Sequence, residues 1–133
     1  MTEKKIFTHK NKKIAYVDVG TGDPIIFFHG NPSSSYLYRN IIKNLNSGYR
    51  CIAADMIGMG DSDKLDNPGH MTYTFDTHFE YLSELIKSLN LNEKITLVGQ
   101  DWGGPLSIKW ARENSDKVRG CLLYTSPSPR DRY

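Results

Sequence analysis

The chain of 133 residues predicts an α/β domain built on a doubly wound, mostly parallel sheet. Three observations predict it. Short continuous apolar runs, PIIFF at 24–28, RCIAA at 50–54 and KITLVG at 94–99, have the pattern of strands buried on both faces. The segments between them carry apolar residues at helical spacing. The two least ordinary short sequences, His29-Gly30-Asn31-Pro32 and Gly99-Gln100-Asp101-Trp102-Gly103, each follow such a run. Both therefore fall at the carboxyl ends of strands, where open α/β sheets carry their chemistry.

The elements follow in order. Lys13–Val19 (KIAYVDV) alternates as a strand does. Pro24–Phe28 reads as a buried strand and stops at the loop signal HGNP. Ser34–Leu45 predicts a helix with Leu37, Ile41, Ile42 and Leu45 on one face. Arg50–Ala54 is a second buried strand, ending in Asp55, and Met56–Gly69, rich in Gly and Asp, is a loop. Thr74–Leu89 predicts an amphipathic helix on Phe75, Phe79, Leu82, Leu85, Ile86 and Leu89. Lys94–Gly99 is a third buried strand, Gly104–Glu113 a helix, and Val118 opens a further strand. Residues 1–120 form one core domain without repeats or a long linker. Residues 121–133 (CLLYTSPSPRDRY), with two Ser-Pro pairs, predict an extended, poorly packed tail.

Composition narrows the partners. The formal net charge is +2, with both signs mixed along the chain, so neither nucleic acid nor an anionic membrane is expected. The longest apolar stretch is too short to span a bilayer. The N-terminal MTEKKIFTHKNKK has no apolar region after its charges, so no secretory signal is read and a cytoplasmic location is expected. Cys51 and Cys121 show no metal-ligand spacing and predict two reduced thiols, buried or half-buried. No metal and no cofactor are expected.

VGQDWGG, residues 98–104, has the spacing of a nucleophile elbow, in which a tight strand-to-helix turn lifts a reactive side chain between small residues. The usual serine is replaced by Asp101. A carboxylate there forms an ester with the carbon it attacks, which suits an electrophilic sp³ carbon in an alkyl halide or an epoxide. The N–H groups opening the next helix favour the ionised carboxylate and a later oxyanion. The alternative role for Asp101 is an N-cap of that helix. Trp102 offers one indole donor in an apolar body, and Asn31 an amide donor at the neighbouring strand end. Such a neutral pair suits a departing halide, whereas an opened epoxide needs a proton donor. Trp102 can equally be a core aromatic, and Asn31 a turn residue beside Pro32.

These residues carry a resemblance. GTGDPIIFFHGNPSSSYLYRNII (20–42), AADMIGMGDSDK (53–64) and LVGQDWGGPLSIKWA (97–111) resemble the haloalkane dehalogenases of the α/β-hydrolase fold, from the N-terminus to about Gly120. The resemblance implies Asp101 as nucleophile, Asn31 and Trp102 as the halide-stabilising pair, and a halogenated aliphatic substrate with water as co-substrate. It implies a structural role for His29 and for the loop of Asp55, Gly58, Gly60, Asp61 and Ser62. His9, His70 and His78 are expected at the surface. The family pattern continues into a helical cap, a catalytic acid and a catalytic histidine, none of which follows Gly120 in this sequence. The chain therefore reads as the part of the fold before the cap, inactive by itself in ester hydrolysis, with 121–133 either unstructured or foreign to the domain. An epoxide hydrolase, a luciferase-like relative and a non-catalytic fragment share the same frame.

Overall fold

The structure, a computed structural model, describes residues 3–66, 72–92 and 94–124. Strands β1 (Lys5–His9), β2 (Lys12–Val19), β3 (Asp23–Phe28), β4 (Tyr49–Ala54), β5 (Ile95–Gln100) and β6 (Val118–Tyr124) form one sheet in the order β1-β2-β4-β3-β5-β6. Helices α1 (Arg39–Leu45), α2 (Phe75–Ser88) and α3 (Gly103–Glu113) connect the parallel strands. The sheet is mixed. β3, β4, β5 and β6 run parallel, while β1 and β2 form a hairpin that joins β4 antiparallel.

The hairpin is the main addition to the sequence-based reading. β1 is charged and carries only two apolar residues, Ile6 and Phe7, so periodicity does not reveal it. It is made by pairing with β2 across a turn in which Lys10 and Asn11 adopt φ of 51° and 63°. The expected helix over 34–45 begins later. Ser34 accepts a hydrogen bond from the Tyr36 N–H and opens a 3-10 turn over Ser35–Tyr38, and only then does α1 start.

The sheet has helices on both faces because its central strands are apolar on both. Ile26 and Phe28 of β3 and Leu97 of β5 point into the cluster holding Leu82, Leu85 and Ile86 of α2 and Leu106 and Trp110 of α3. Ile25 and Phe27 of β3, with Val98 of β5, pack on Tyr38 and on Ile42 of α1. α1 carries the chain from β3 to β4 on one face, and α2 returns it from β4 to β5 on the other. The winding thus reverses beside β3, and its carboxyl end meets that of β5 at the switch point, where such sheets bind ligands.

Val118–Tyr124 continues four residues past the boundary read at Gly120, because Cys121–Tyr124 pair with Leu97–Gln100. That part of the expected tail is strand. Residues 125–133 lie outside the described residues. Cys51 is buried as expected, but Cys121 is exposed on the outer strand, not half-buried.

Candidate active site at the carboxyl edge of β3 and β5

Asp101 stands in the turn between β5 and α3 at φ 55°. This left-handed conformation is uncommon outside Gly, Asn and Asp, and it lets the chain reverse from strand to helix in three residues. Its neighbours must be small. A Cβ on Gly99 would come within 2.6 Å of the Gly103 carbonyl oxygen and 2.8 Å of Ser107 Oγ. One on Gly103 would strike the Phe28 carbonyl. One on Gly30 would come within 2.8 Å of Asp101 Cβ and 2.9 Å of its Oδ2. The glycines of both motifs therefore let the end of β3 lie directly against the elbow.

Asp101 is exposed, and it does not cap the helix. α3 begins at Trp102 as N-cap residue, with no side-chain cap hydrogen bond. The Gly104 N–H closes the turn on the Asp101 carbonyl at 2.9 Å. Asn31 follows Gly30 at the same edge and is exposed; Trp102 is half-buried. The parallel pairing Phe28↔Gly99 puts Asn31 and Trp102 each three residues beyond matched positions. The two thus follow strand ends at one edge of the sheet, with Asp101 next to Trp102 in the chain and against Gly30.

His29 is structural. Its Nδ1–H donates to the Gly30 carbonyl at 2.7 Å, and Nε2 accepts the Met56 N–H at 2.9 Å. Burial pushes its pKa down, against the opposing pull of the Gly30 carbonyl, so it stays neutral. It locks the start of the HGNP loop to the end of β4.

The loop after β4 is organised around Asp55, which is 0% exposed. Its carboxylate accepts from the N–H groups of Ser35 (2.7 Å) and Asp61 (2.9 Å) and from Lys4 Nζ (2.6 Å). Burial alone would raise its pKa, but Lys4 and the two N–H groups outweigh it and hold the carboxyl below its usual range. Gly58 and Gly60 take φ of 85° and 54°, and a Cβ on Gly60 would lie 2.5 Å from Asp55 Cγ. Lys4, the cation that makes this burial possible, carries no local sequence signal.

His78 departs from the surface placement expected for it: it is 1% exposed. Its ring lies edge-on to Trp102, with centroids 5.7 Å apart at 85°, and Tyr73 stacks on it at 6.1 Å. A signal was present. His78 is three residues after Phe75, four before Leu82 and seven before Leu85, which places it in the apolar stripe of α2. Burial pushes its pKa down to about 4, with His29 adding to the effect. His9 on β1 is half-buried and meets Glu80 at 2.7 Å. His70 lies outside the described residues.

Two cavities lie away from this edge. One of about 750 Å³ sits at the opposite end of the sheet between Ile86, Leu91 and Trp110. Another of about 540 Å³ runs along α1. Neither is lined by Asp101. Among the described residues no cluster of three metal-ligating side chains occurs, and no helix is long and apolar enough to cross a membrane.

Known proteins align with this arrangement. Residues 23–131 match the α/β hydrolase fold family. A haloalkane dehalogenase of Sphingobium indicum is 50% identical over 118 residues, 89% of this chain and 40% of that protein. One from Mycolicibacterium smegmatis is 47% identical over 111 residues, 84% and 36% of the two chains. The crystal structure of the haloalkane dehalogenase DatA from Agrobacterium tumefaciens C58 superposes with a TM-score of 0.82 at 36% identity, covering 91% of this chain and 40% of that one. The chain thus spans about two fifths of the length of these relatives. With a TM-score of 0.82 to a solved haloalkane dehalogenase and a family match over residues 23–131, the chain belongs to the α/β hydrolase fold family.

Proposed function

We propose that the chain supplies the nucleophilic half of a hydrolytic haloalkane dehalogenase. Asp101 carries the reading: an exposed carboxylate at φ 55° between β5 and α3, pressed by Gly30, with no capping role. The similarity to haloalkane dehalogenases supports the substrate class. One Asp101 oxygen attacks the halogen-bearing carbon of a short haloalkane from the side opposite the halogen. A C–O bond forms, the carbon–halogen bond breaks, and the halide leaves with the bonding pair. The Trp102 indole N–H and the Asn31 amide N–H donate to the departing ion. Water then attacks the ester carbonyl, releasing alcohol and a proton and restoring the carboxylate.

The second step needs a base. His29 spends both ring nitrogens on Gly30 and Met56. His78 is buried and neutral. His9 sits on the far edge strand, with β2, β4 and β3 between it and β5. The ester formed on these residues accordingly persists unless a base comes from outside the described residues.

Incubation of the chain with a short 1-bromoalkane tests this. About one bromide per chain should be released and then stop, and the peptide containing Asp101 should gain the mass of one alkyl group less a hydrogen. Asp101→Asn should release none, since an amide is a poor nucleophile. Alkylation at another carboxylate would sink the assignment of Asp101. Opening of an epoxide with no halide release would move the reading to an epoxide hydrolase.

A further inference from the structure

His78 is buried at 1% exposure with an imidazole Nδ1 that has no hydrogen-bond partner among the described residues. A buried polar atom without a partner is unfavourable, and an apolar side chain would fill the same place at less cost. Hydrogen bonding at Nδ1 therefore does not explain why a histidine stands there. Its ring contacts explain why a flat ring stands there. On one side Tyr73 stacks on it at 6.1 Å and 25°; on the other it meets Trp102 edge-on at 5.7 Å and 85°.

Tyr73 is itself fixed. Its hydroxyl accepts the Leu65 N–H at 2.7 Å, and its ring occupies the space that a Cβ on Gly58 would take, 2.8 Å from the ring carbon bearing that hydroxyl. Phe75 meets the Trp102 ring as well, 6.4 Å away at 60°. A file of rings thus runs from the loop after β4, through the N-terminal end of α2, to the residue after the elbow. Trp102 has only Asp101 and Gly103 as covalent neighbours and no strand to hold its side chain. Two of its ring contacts come from α2.

We infer that His78 is a positioning residue for Trp102: its ring, backed by Tyr73, sets the orientation of the indole and so the direction of the N–H that receives the halide. The inference rests on the halide role proposed for Trp102. An edge-to-face ring contact is directional, whereas a shapeless aliphatic side chain fills the volume without fixing an angle. A flat ring in place of His78 should preserve the orientation, and an aliphatic one should release it.

The chain has two tryptophans, so labelling with 5-fluorotryptophan gives two ¹⁹F signals. Buried Trp110 serves as the internal control, and the Trp102 signal is assigned by its loss in Trp102→Phe. In the unsubstituted chain the Trp102 signal should report a single immobile ring and should shift on titration with sodium bromide at constant ionic strength. In His78→Leu the Trp102 line should show motional averaging, and the bromide dissociation constant should weaken about fivefold, the equivalent of one directional ring contact. In His78→Phe both should stay within about twofold of the unsubstituted chain. If His78→Leu leaves the Trp102 line and its bromide response unchanged, the positioning role falls while the halide reading stands. If bromide moves neither signal in the unsubstituted chain, the halide reading falls, and the Trp102 line shape alone then decides whether His78 orients the ring. A freely averaging Trp102 in the unsubstituted chain overturns the inference without any substitution at His78.

Discussion

A Cβ placed on Gly103 would enter the Phe28 carbonyl and come within 2.9 Å of that of His29, whereas one on Gly104 meets nothing within 4 Å. The two residues are adjacent and both lie in the first turn of α3, so one methyl group separates packing from propensity. Gly103→Ala forces β3 away from the elbow and should lower stability by about 1–3 kcal/mol, the usual penalty for overpacking. Gly104→Ala removes backbone freedom from the unfolded chain and should raise stability by about 0.5–1 kcal/mol. Urea unfolding midpoints of the two variants should move in opposite directions. The requirement at Gly103 is set by Phe28, 75 positions earlier in the chain, and could be anticipated only through the elbow spacing of 99–103.

At the scale of elements, α2 joins fold to site. Thr74 caps it, accepting the Thr77 N–H at 3.1 Å, and its apolar stripe packs on the sheet while His78 reaches Trp102. Because the His78 pKa is depressed from 6.5 to about 4, the unfolded chain binds a proton in that interval that the native chain does not. The stability held by neutral His78 is therefore complete above about pH 6.5 and is lost as pH falls through about 4. At about 1.36 kcal/mol per pH unit, the interval amounts to roughly 3 kcal/mol. The pH dependence of unfolding between 7 and 4 should flatten by an amount of this order in His78→Phe, provided the variant keeps the native far-UV spectrum. An unchanged slope would show that His78 titrates normally. The stripe was legible in the sequence from its spacing. The burial of the histidine within it was hidden by its polarity, although its position three residues after Phe75 lies on the same stripe.

For the molecule as a whole, Lys4 links the chain's start to its central loop. Nζ donates to Asp55 at 2.6 Å and lies 2.8 Å from Asp61. Burial opposes the lysine's charge, yet its hydrogen bonds to Asp55 and Asp61 raise its pKa. The Asp55 carboxyl is held low, so its contribution is present above the ordinary carboxylate range and is lost as pH falls through its folded value. The Lys4 contribution is present below the ordinary lysine range and is lost only as pH rises through its own folded value. The pair therefore supports the fold throughout the range between. Lys4→Met leaves Asp55 buried without its cation and should cost on the order of 3 kcal/mol at neutral pH. Urea unfolding would measure the loss, and NMR titration of Asp55 should show its pKa rising. At the other end of the sheet β6 exposes Leu122 at 61% and Leu123 at 43%.

By itself the sequence determined the buried strands β3, β4 and β5, the helices that pack on them, and the arrival of HGNP and the Asp101 elbow at one sheet edge. Those follow from local pattern, since apolar periodicity records which faces are buried and Gly-x-Asp-x-Gly-Gly records a tight turn. Tertiary structure alone decided the β1–β2 hairpin, the ion pair of Lys4 with Asp55, and the seat of His78 against Trp102. Each is made by partners distant in the chain: Lys4 and Asp55 are 51 positions apart and His78 and Trp102 are 24. A charged strand is stabilised by its neighbour's backbone, a buried carboxylate by a remote cation, and a buried imidazole by rings from other elements. None of these leaves a period in the sequence, because the stabilising groups do not come from the segment they stabilise.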